Sequence, residues 1–247
     1  MKKVLSLMLA GIALLANQSH SVTFFADNFE AAGAAGATKL GAPWSMNKEV
    51  FQAPTVANSD GVLGGYVGGH YPGTTFGPNA IVTEQGGAAQ GTYSGKLYPD
   101  FDGYWGDWTG NKIVKTSLLF NKTLTAEDIA PGVIQMDFNF KTPAIGATAS
   151  VVAFAKLLNS DFSQTWYTQT ISLTGADWSS GATVLTFNGN QVGANAQFGF
   201  TVTSSNYQAA DLYIDNVTIS NVPEPSTVSL LGFGVAGLIA TRLRRRS

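Results

Sequence analysis

An antiparallel β-sandwich is the fold class this sequence predicts, and three observations predict it. Runs rich in β-branched and aromatic residues recur from Lys112 to Ser220, with turn residues between them. Several runs alternate apolar and polar residues with period two, the pattern of a strand with one buried face. Only one stretch of that region, Thr123 to Ala130, reads as a short helix, with Thr125 as cap, Asp128 three residues on, and Pro131-Gly132 as the stop. Strands at this spacing, joined by turns, point to a sandwich of jelly-roll type.

In chain order, Val22 to Glu30 reads as a first strand with acids at its end. Gly41 to Phe51 carries Trp44 after Pro43. From Asp60 to Gly91 glycines are dense, which predicts long loops joining short strands. Lys112 to Phe120 is a clear strand. Val133 to Phe140 places Ile134, Met136, Phe138 and Phe140 on one face and Gln135, Asp137 and Asn139 on the other. Ala147 to Leu158 reads as a more buried strand, and Phe162 to Leu173 and Trp178 to Phe187 follow after turns. Gln197 to Thr203 puts Phe198, Phe200 and Val202 on one face. Asp211 to Ser220 closes the body. Leu212 and Ile214 point one way, and Val217 and Ile219 resume one residue out of step, which predicts a bulge at Asp215-Asn216.

Both ends read as addressing segments. Met1-Lys2-Lys3 is a positive start, Val4 to Ala16 is apolar, and Ser19-His20-Ser21 fits a cleavage site before Val22, the pattern of a secretory signal peptide over 1–21. At the other end, Pro223-Glu224-Pro225 precedes sixteen uncharged residues, Ser226 to Thr241, and then Arg242, Arg244, Arg245 and Arg246. The prolines end the folded body. As a single membrane-spanning helix the uncharged segment reaches roughly 24 Å at about 1.5 Å per residue. That is short of the ~30 Å hydrocarbon core, a gap that snorkelling arginines can close. The arginines fix the orientation, with the body outside. The sequence therefore divides into 1–21, a body over 22–221, and a tail over 222–247.

Without its ends the body has eight lysines, no arginine and fifteen acids, a formal net charge of −7. That composition is poor for nucleic acid, whose affinity comes from cation–phosphate contacts, and fair for calcium, which takes hard oxygen ligands. There is no cysteine, so an exported body of this sequence is held by its core alone, without disulfides.

The tail resembles the PEP-CTERM sorting signal of Gram-negative bacteria. The resemblance rests on Pro223, Glu224, Pro225, the small-residue span Gly232 to Gly237, and the cluster Arg242, Arg244, Arg245 and Arg246. It implies recognition by a membrane-embedded exosortase, transient residence in the inner membrane, and sorting to the cell surface or the matrix outside it. The second half of the body also resembles a carbohydrate-binding-module jelly roll, through Gln197-Phe198-Gly199-Phe200 and Leu212-Tyr213-Ile214-Asp215-Asn216-Val217. That family binds glycans and often carries a structural calcium near its first and last strands. The resemblance carries over Asp215, and the fold's logic sets Asp27 and Glu30 beside it as calcium ligands. The other reading of these acids is that they cap turns.

Aromatic rings at Tyr104, Trp105 and Trp108, with Trp44, are candidates for stacking on sugar rings. The alternative is that they cover the core. Asp100, Asp102 and Asp107 begin like a calcium loop, but the EF-hand glutamate is missing, so they read as an acidic turn. His70 is the body's only histidine, and no nucleophile elbow, zinc-protease helix motif or phosphate loop occurs. The expectation is an exported structural, adhesive or glycan-binding sandwich that is not an enzyme. Its partners are signal peptidase, the exosortase and extracellular polysaccharide. The alternative is a polysaccharide-active hydrolase or lyase, whose two carboxylates need no local spacing.

Overall fold

The computed structural model describes residues 21–30, 44–52, 65–70, 81–84, 89, 91–99, 101, 112–187, 190–205 and 208–223. They form β1 (Thr23–Asp27), β2 (Ser45–Gln52), β3 (Tyr66–His70), β4 (Ile81–Glu84), β5 (Tyr93–Leu97), β6 (Lys112–Thr123), α1 (Ala126–Ile129), β7 (Gly132–Ile145), β8 (Ser150–Leu158), β9 (Thr165–Ser172), β10 (Gly175–Thr186), β11 (Asn195–Ser205) and β12 (Ala210–Pro223). The strands make two antiparallel sheets. One runs β10-β7-β12-β5-β4 with β1 also on β12, and the other runs β3-β2-β6-β11-β8-β9. From β5 onward the chain changes sheet at every connection but β8 to β9, the crossing habit of jelly-roll sandwiches.

The sheets face each other across the alternating apolar residues the sequence marks. Ile134, Met136, Phe138 and Phe140 of β7 lie opposite Phe198, Phe200 and Val202 of β11, all buried in one core. Phe138 and Phe200 meet edge to face, 4.9 Å between ring centres, and join the two sheets directly. Several strands outrun their predicted ends because sheet pairing continues past the apolar pattern. β6 reaches Thr123 opposite Asn195, and β7 reaches Ile145 opposite Ala210.

Helix α1 forms as its capping residues require. Thr125 Oγ1 accepts from Asp128 N, and the Asp128 carboxylate accepts from Thr125 N, a reciprocal capping box. The bulge in the last strand of the body is also where the phase change places it. The β7–β12 register slips between Asp215 and Thr218, and Asn216 takes a left-handed φ of 50°. Asparagine is among the residues that tolerate this conformation.

The body ends later than the prolines suggest. β12 extends through Asn221, Val222 and Pro223 opposite Ile134, Val133 and Gly132. The other edge of β12 at that end holds the start of the body: Val22 N donates to Asn221 Oδ1 at 2.6 Å and Asn221 N donates to Val22 O at 3.1 Å, while Ser21, the last residue before the expected cleavage, donates its Oγ to Asn221 O at 3.0 Å. Residues 1–20 of the expected signal peptide and the spanning segment 226–241 lie outside the described residues. Among those described, no helix is long and apolar enough to cross a membrane.

Candidate functional site

The acids proposed as calcium ligands sit where two strands share one edge of β12. β5 pairs with Leu212, Tyr213 and Ile214. β1 pairs with Val217 to Ser220, with Asp27 opposite Val217. The bulged Asp215-Asn216 falls at the join, so the topology does bring the predicted neighbourhood together.

The side chains there bind protein groups. Asp27 Oδ1 accepts from Phe29 N at 2.7 Å and Oδ2 from the Trp44 indole at 2.8 Å. The first bond holds Phe29 in a left-handed turn, φ 58°, that drives its ring into the core. Glu30 Oε1 accepts from Thr92 N at 2.6 Å and Tyr93 N at 2.8 Å, stapling the end of β1 to the start of β5. Asp215 is fully buried, and its Oδ1 accepts from Asn216 N at 2.7 Å, which fixes the bulge. Among the described residues no three His, Cys, Asp or Glu side chains converge as a metal-holding group. Side chains alone therefore do not make a calcium shell here.

Trp44 is a correction. It is 7 % exposed, edge-on to Phe25 at 4.9 Å and stacked over Phe29 at 6.5 Å. With its N–H spent on Asp27, this ring is core and offers no face to a sugar. Tyr104, Trp105, Trp108, Asp100, Asp102 and Asp107 lie outside the described residues, as do Glu224, Pro225, Arg242, Arg244, Arg245 and Arg246. Pro223 is the last residue of β12.

The residues that sequence reasoning missed lie on the outer face of the second sheet. On β2, β6, β8 and β11, positions alternating with core residues point away from the core. They bring Asn47 opposite Ser117 and Glu49 opposite Lys115. On the neighbouring strands Ser117 lies opposite Thr201, and Lys156 opposite Gln197. Lys115 Nζ pairs with Glu49 Oε2 at 2.6 Å, both half-buried. The Ser117 and Thr201 hydroxyls bond at 2.9 Å. Lys156 Nζ lies 4.7 Å from the Phe154 ring centre. Burial pushes the Lys156 ammonium below its ordinary value, and the nearby Lys115 charge pushes it further, opposed by Glu49. Asn47 Oδ1 is buried there without a hydrogen-bond partner. At the outer edge of this sheet, β9 leaves Trp166 and Tyr167 about half exposed, at 50 % and 47 %. Part of the signal was available: Gln197 and Thr201 are in the polar half of the β11 pattern whose apolar half, Phe198, Phe200 and Val202, was read.

The fold defines a class: an all-β antiparallel sandwich, continuous at its C-terminus with a sorting-motif tail. The tail has a specific match, since residues 221–246 match the PEP-CTERM protein-sorting motif. No curated protein matches the chain in sequence. Among solved structures, the family 16 carbohydrate-binding module-2 is 17 % identical, with a TM-score of 0.38 over 57 % of this chain and 84 % of that one. The CBM22-1 xylan-binding domain from Paenibacillus barcinonensis Xyn10C is 12 % identical, with a TM-score of 0.43 over 83 % and 98 %. A cyclase from Fischerella sp. TAU is 12 % identical, with a TM-score of 0.45 over 83 % and 98 %.

Proposed function

We propose that this is an exported protein, processed by signal peptidase before Val22 and sorted through an exosortase-type system to the cell surface or extracellular matrix. There its β-sandwich is structural, adhesive or glycan-binding and not enzymatic. The observation that carries this reading is the sorting-motif match at 221–246, which begins inside the last strand of the body. Body and tail are thus joined without a spacer, and the segment 226–241 anchors the protein in the inner membrane during transit.

The test is fractionation of a body-tagged protein, intact or ended after Pro223 so that β12 stays whole. Surface or medium localisation of the intact protein, with missorting of the shortened one, supports the reading. An intact protein that keeps its tail in the inner membrane makes the tail an anchor only.

Calcium at Asp27, Glu30 and Asp215 is a separate proposal, in which these hard oxygens would need backbone carbonyls to complete the shell. A melting temperature raised by calcium, and no longer raised in Asp215→Asn, supports it. A melt indifferent to calcium and to chelator overturns it.

A further inference from the structure

The hairpin joining β8 to β9 carries aromatic rings into solvent. Phe162 and Trp166 are each 50 % exposed, and every residue from Thr165 to Thr168 is exposed. Phe162 holds a left-handed φ of 62°, an outlier for a bulky side chain. Such strain persists only where the surroundings over-determine it. Here Phe162 N donates to Asn159 O at 3.2 Å, Ser163 N to Asp161 Oδ1 at 2.9 Å and Gln164 N to Asn159 Oδ1 at 3.0 Å. The buried Asn195 of β11 anchors the turn, donating to the Asn159 and Ser160 carbonyls, both at 3.0 Å. Trp166 is placed by a bulge: Leu157 lies opposite Tyr167 and Leu158 opposite Thr165, so the register skips Trp166. Its indole N–H donates to Gln164 Oε1 at 3.3 Å, which orients the exposed ring. A firmly built turn and a bulge thus hold two rings where the core gains little from them.

The surroundings select an occupant. Phe162 to Ala176 contains no charged residue, and the charges that bound it, Asp161 and Asp177, are both acids. Lys156, opposite Thr168, leans to the Phe154 ring, on the side away from the hairpin. The segment therefore offers nothing to attract an acidic polymer or an anionic bilayer. A strand from a second copy is opposed by the bulge and by Gln169, whose side chain accepts from Val184 N of β10 at 2.6 Å. A neutral sugar fits both halves of the site. Its apolar C–H face stacks on an aromatic ring, and its hydroxyl rim meets the hydroxyls and amide of Thr165, Thr168 and Gln164.

We propose that the β8–β9 hairpin binds a neutral polysaccharide, stacking sugar rings on Phe162 and Trp166. The proposal rests on the glycan-binding reading above and gives it a site and a ligand class.

The experiment titrates the purified full chain, in detergent, with three neutral polymers (mixed-linkage β-glucan, arabinoxylan and galactomannan) and with sodium alginate as the acidic comparison. The variants are Trp166→Ala, Phe162→Gly, and Tyr66→Ala, which removes an equally exposed ring from β3 at the other edge of the sheet. The expected result is binding to at least one neutral polymer, unchanged by added salt, that falls about tenfold or more in Trp166→Ala, as for an aromatic anchor truncated at an interface. Phe162→Gly should weaken it too while melting no lower than the parent, because glycine relieves the left-handed strain. That pairing of lost affinity with kept stability separates ligand contact from folding. Tyr66→Ala should bind as the parent does. Neutral binding that Trp166→Ala and Phe162→Gly leave untouched overturns the site while the glycan-binding reading stands. Binding to alginate alone overturns the neutral class and leaves that reading standing. Binding to none of the polymers removes both. An oligomer of the parent that Trp166→Ala dissociates in the same detergent gives the rings to a second copy and overturns the proposal.

Discussion

Replacing Gly91 by alanine isolates the Glu30 staple. Gly91 has a left-handed φ of 82°, and a Cβ built on it falls 2.1 Å from Glu30 Oε1, the atom that accepts from Thr92 N and Tyr93 N. Gly193 supplies the control, with the same φ of 82° and nothing within 4 Å of its Cβ position. An alanine forced left-handed costs about 1–2 kcal/mol, and Gly193→Ala should cost that alone. Gly91→Ala costs the same and displaces a carboxylate from two N–H donors. Hydrogen bonds to charged groups contribute ~1.5–3 kcal/mol each, and because the Thr92 bond is exposed, ~2 kcal/mol is expected for the pair. At about 2–4 °C per kcal/mol for a body of this size, Gly91→Ala should melt about 4–8 °C below Gly193→Ala in scanning calorimetry. In a Glu30→Ala background that extra loss should vanish, since the two substitutions remove one interaction. If the two glycine variants melt together in the parent protein, Glu30 holds nothing, and β1 is kept in place by its pairing with β12 alone.

Other outcomes follow from the same geometry. Phe29→Ala empties a ring that is 1 % exposed and packs against Gly95, and should cost about 3–5 kcal/mol by chemical denaturation. Thr125→Ala removes one half of the capping box and should cost ~1 kcal/mol, read as a lower denaturation midpoint with an unchanged slope. Lys156 is held below its ordinary value by burial and by Lys115, so the unfolded chain binds its proton more tightly than the folded one. Stability from this group therefore rises with pH through the window between the lowered and the ordinary value. Lys156→Met should accordingly be more stable than the parent at pH 7, with the gap narrowing as pH rises towards about 10; a gap that is constant with pH would remove the electrostatic account.

Much of the fold could be read from local pattern because the physics there is local. The alternation of Ile134, Met136, Phe138 and Phe140 needs only a pleat and a core to one side. The capping of α1 needs only Thr125 and Asp128, three residues apart. The bulge at Asp215-Asn216 announces itself as a change of phase. What escaped the sequence depends on pairing across long separations. Glu30 reaches Thr92 and Tyr93 over more than sixty residues, and nothing near Glu30 names that partner, so it could be read only as an acid with oxygens to offer. Trp44 looks like a loop ring beside Pro43, and only the arrival of Phe25 and Phe29 from β1 and its turn makes it core. Lys156 lies in a strand whose apolar residues dominate the eye. That the charges of Lys115 and Glu49 act on it depends on the order β2-β6-β11-β8, which no local pattern fixes.

The position of β12 decides how a pull on the tail is felt. The strand leaves the body at Pro223 from the interior of its sheet, with β7 on one side and β5 and β1 on the other. Traction applied beyond Pro223 runs along β12, while its ladder bonds lie across the strand. Such a load shears the bonds to β7 and β1 together and cannot peel them one at a time. The Asn221 clasp on Val22 ties the far terminus of the body into the same loaded strand. A protein held by its C-terminus against flow would thus bear the drag on its best-braced strand.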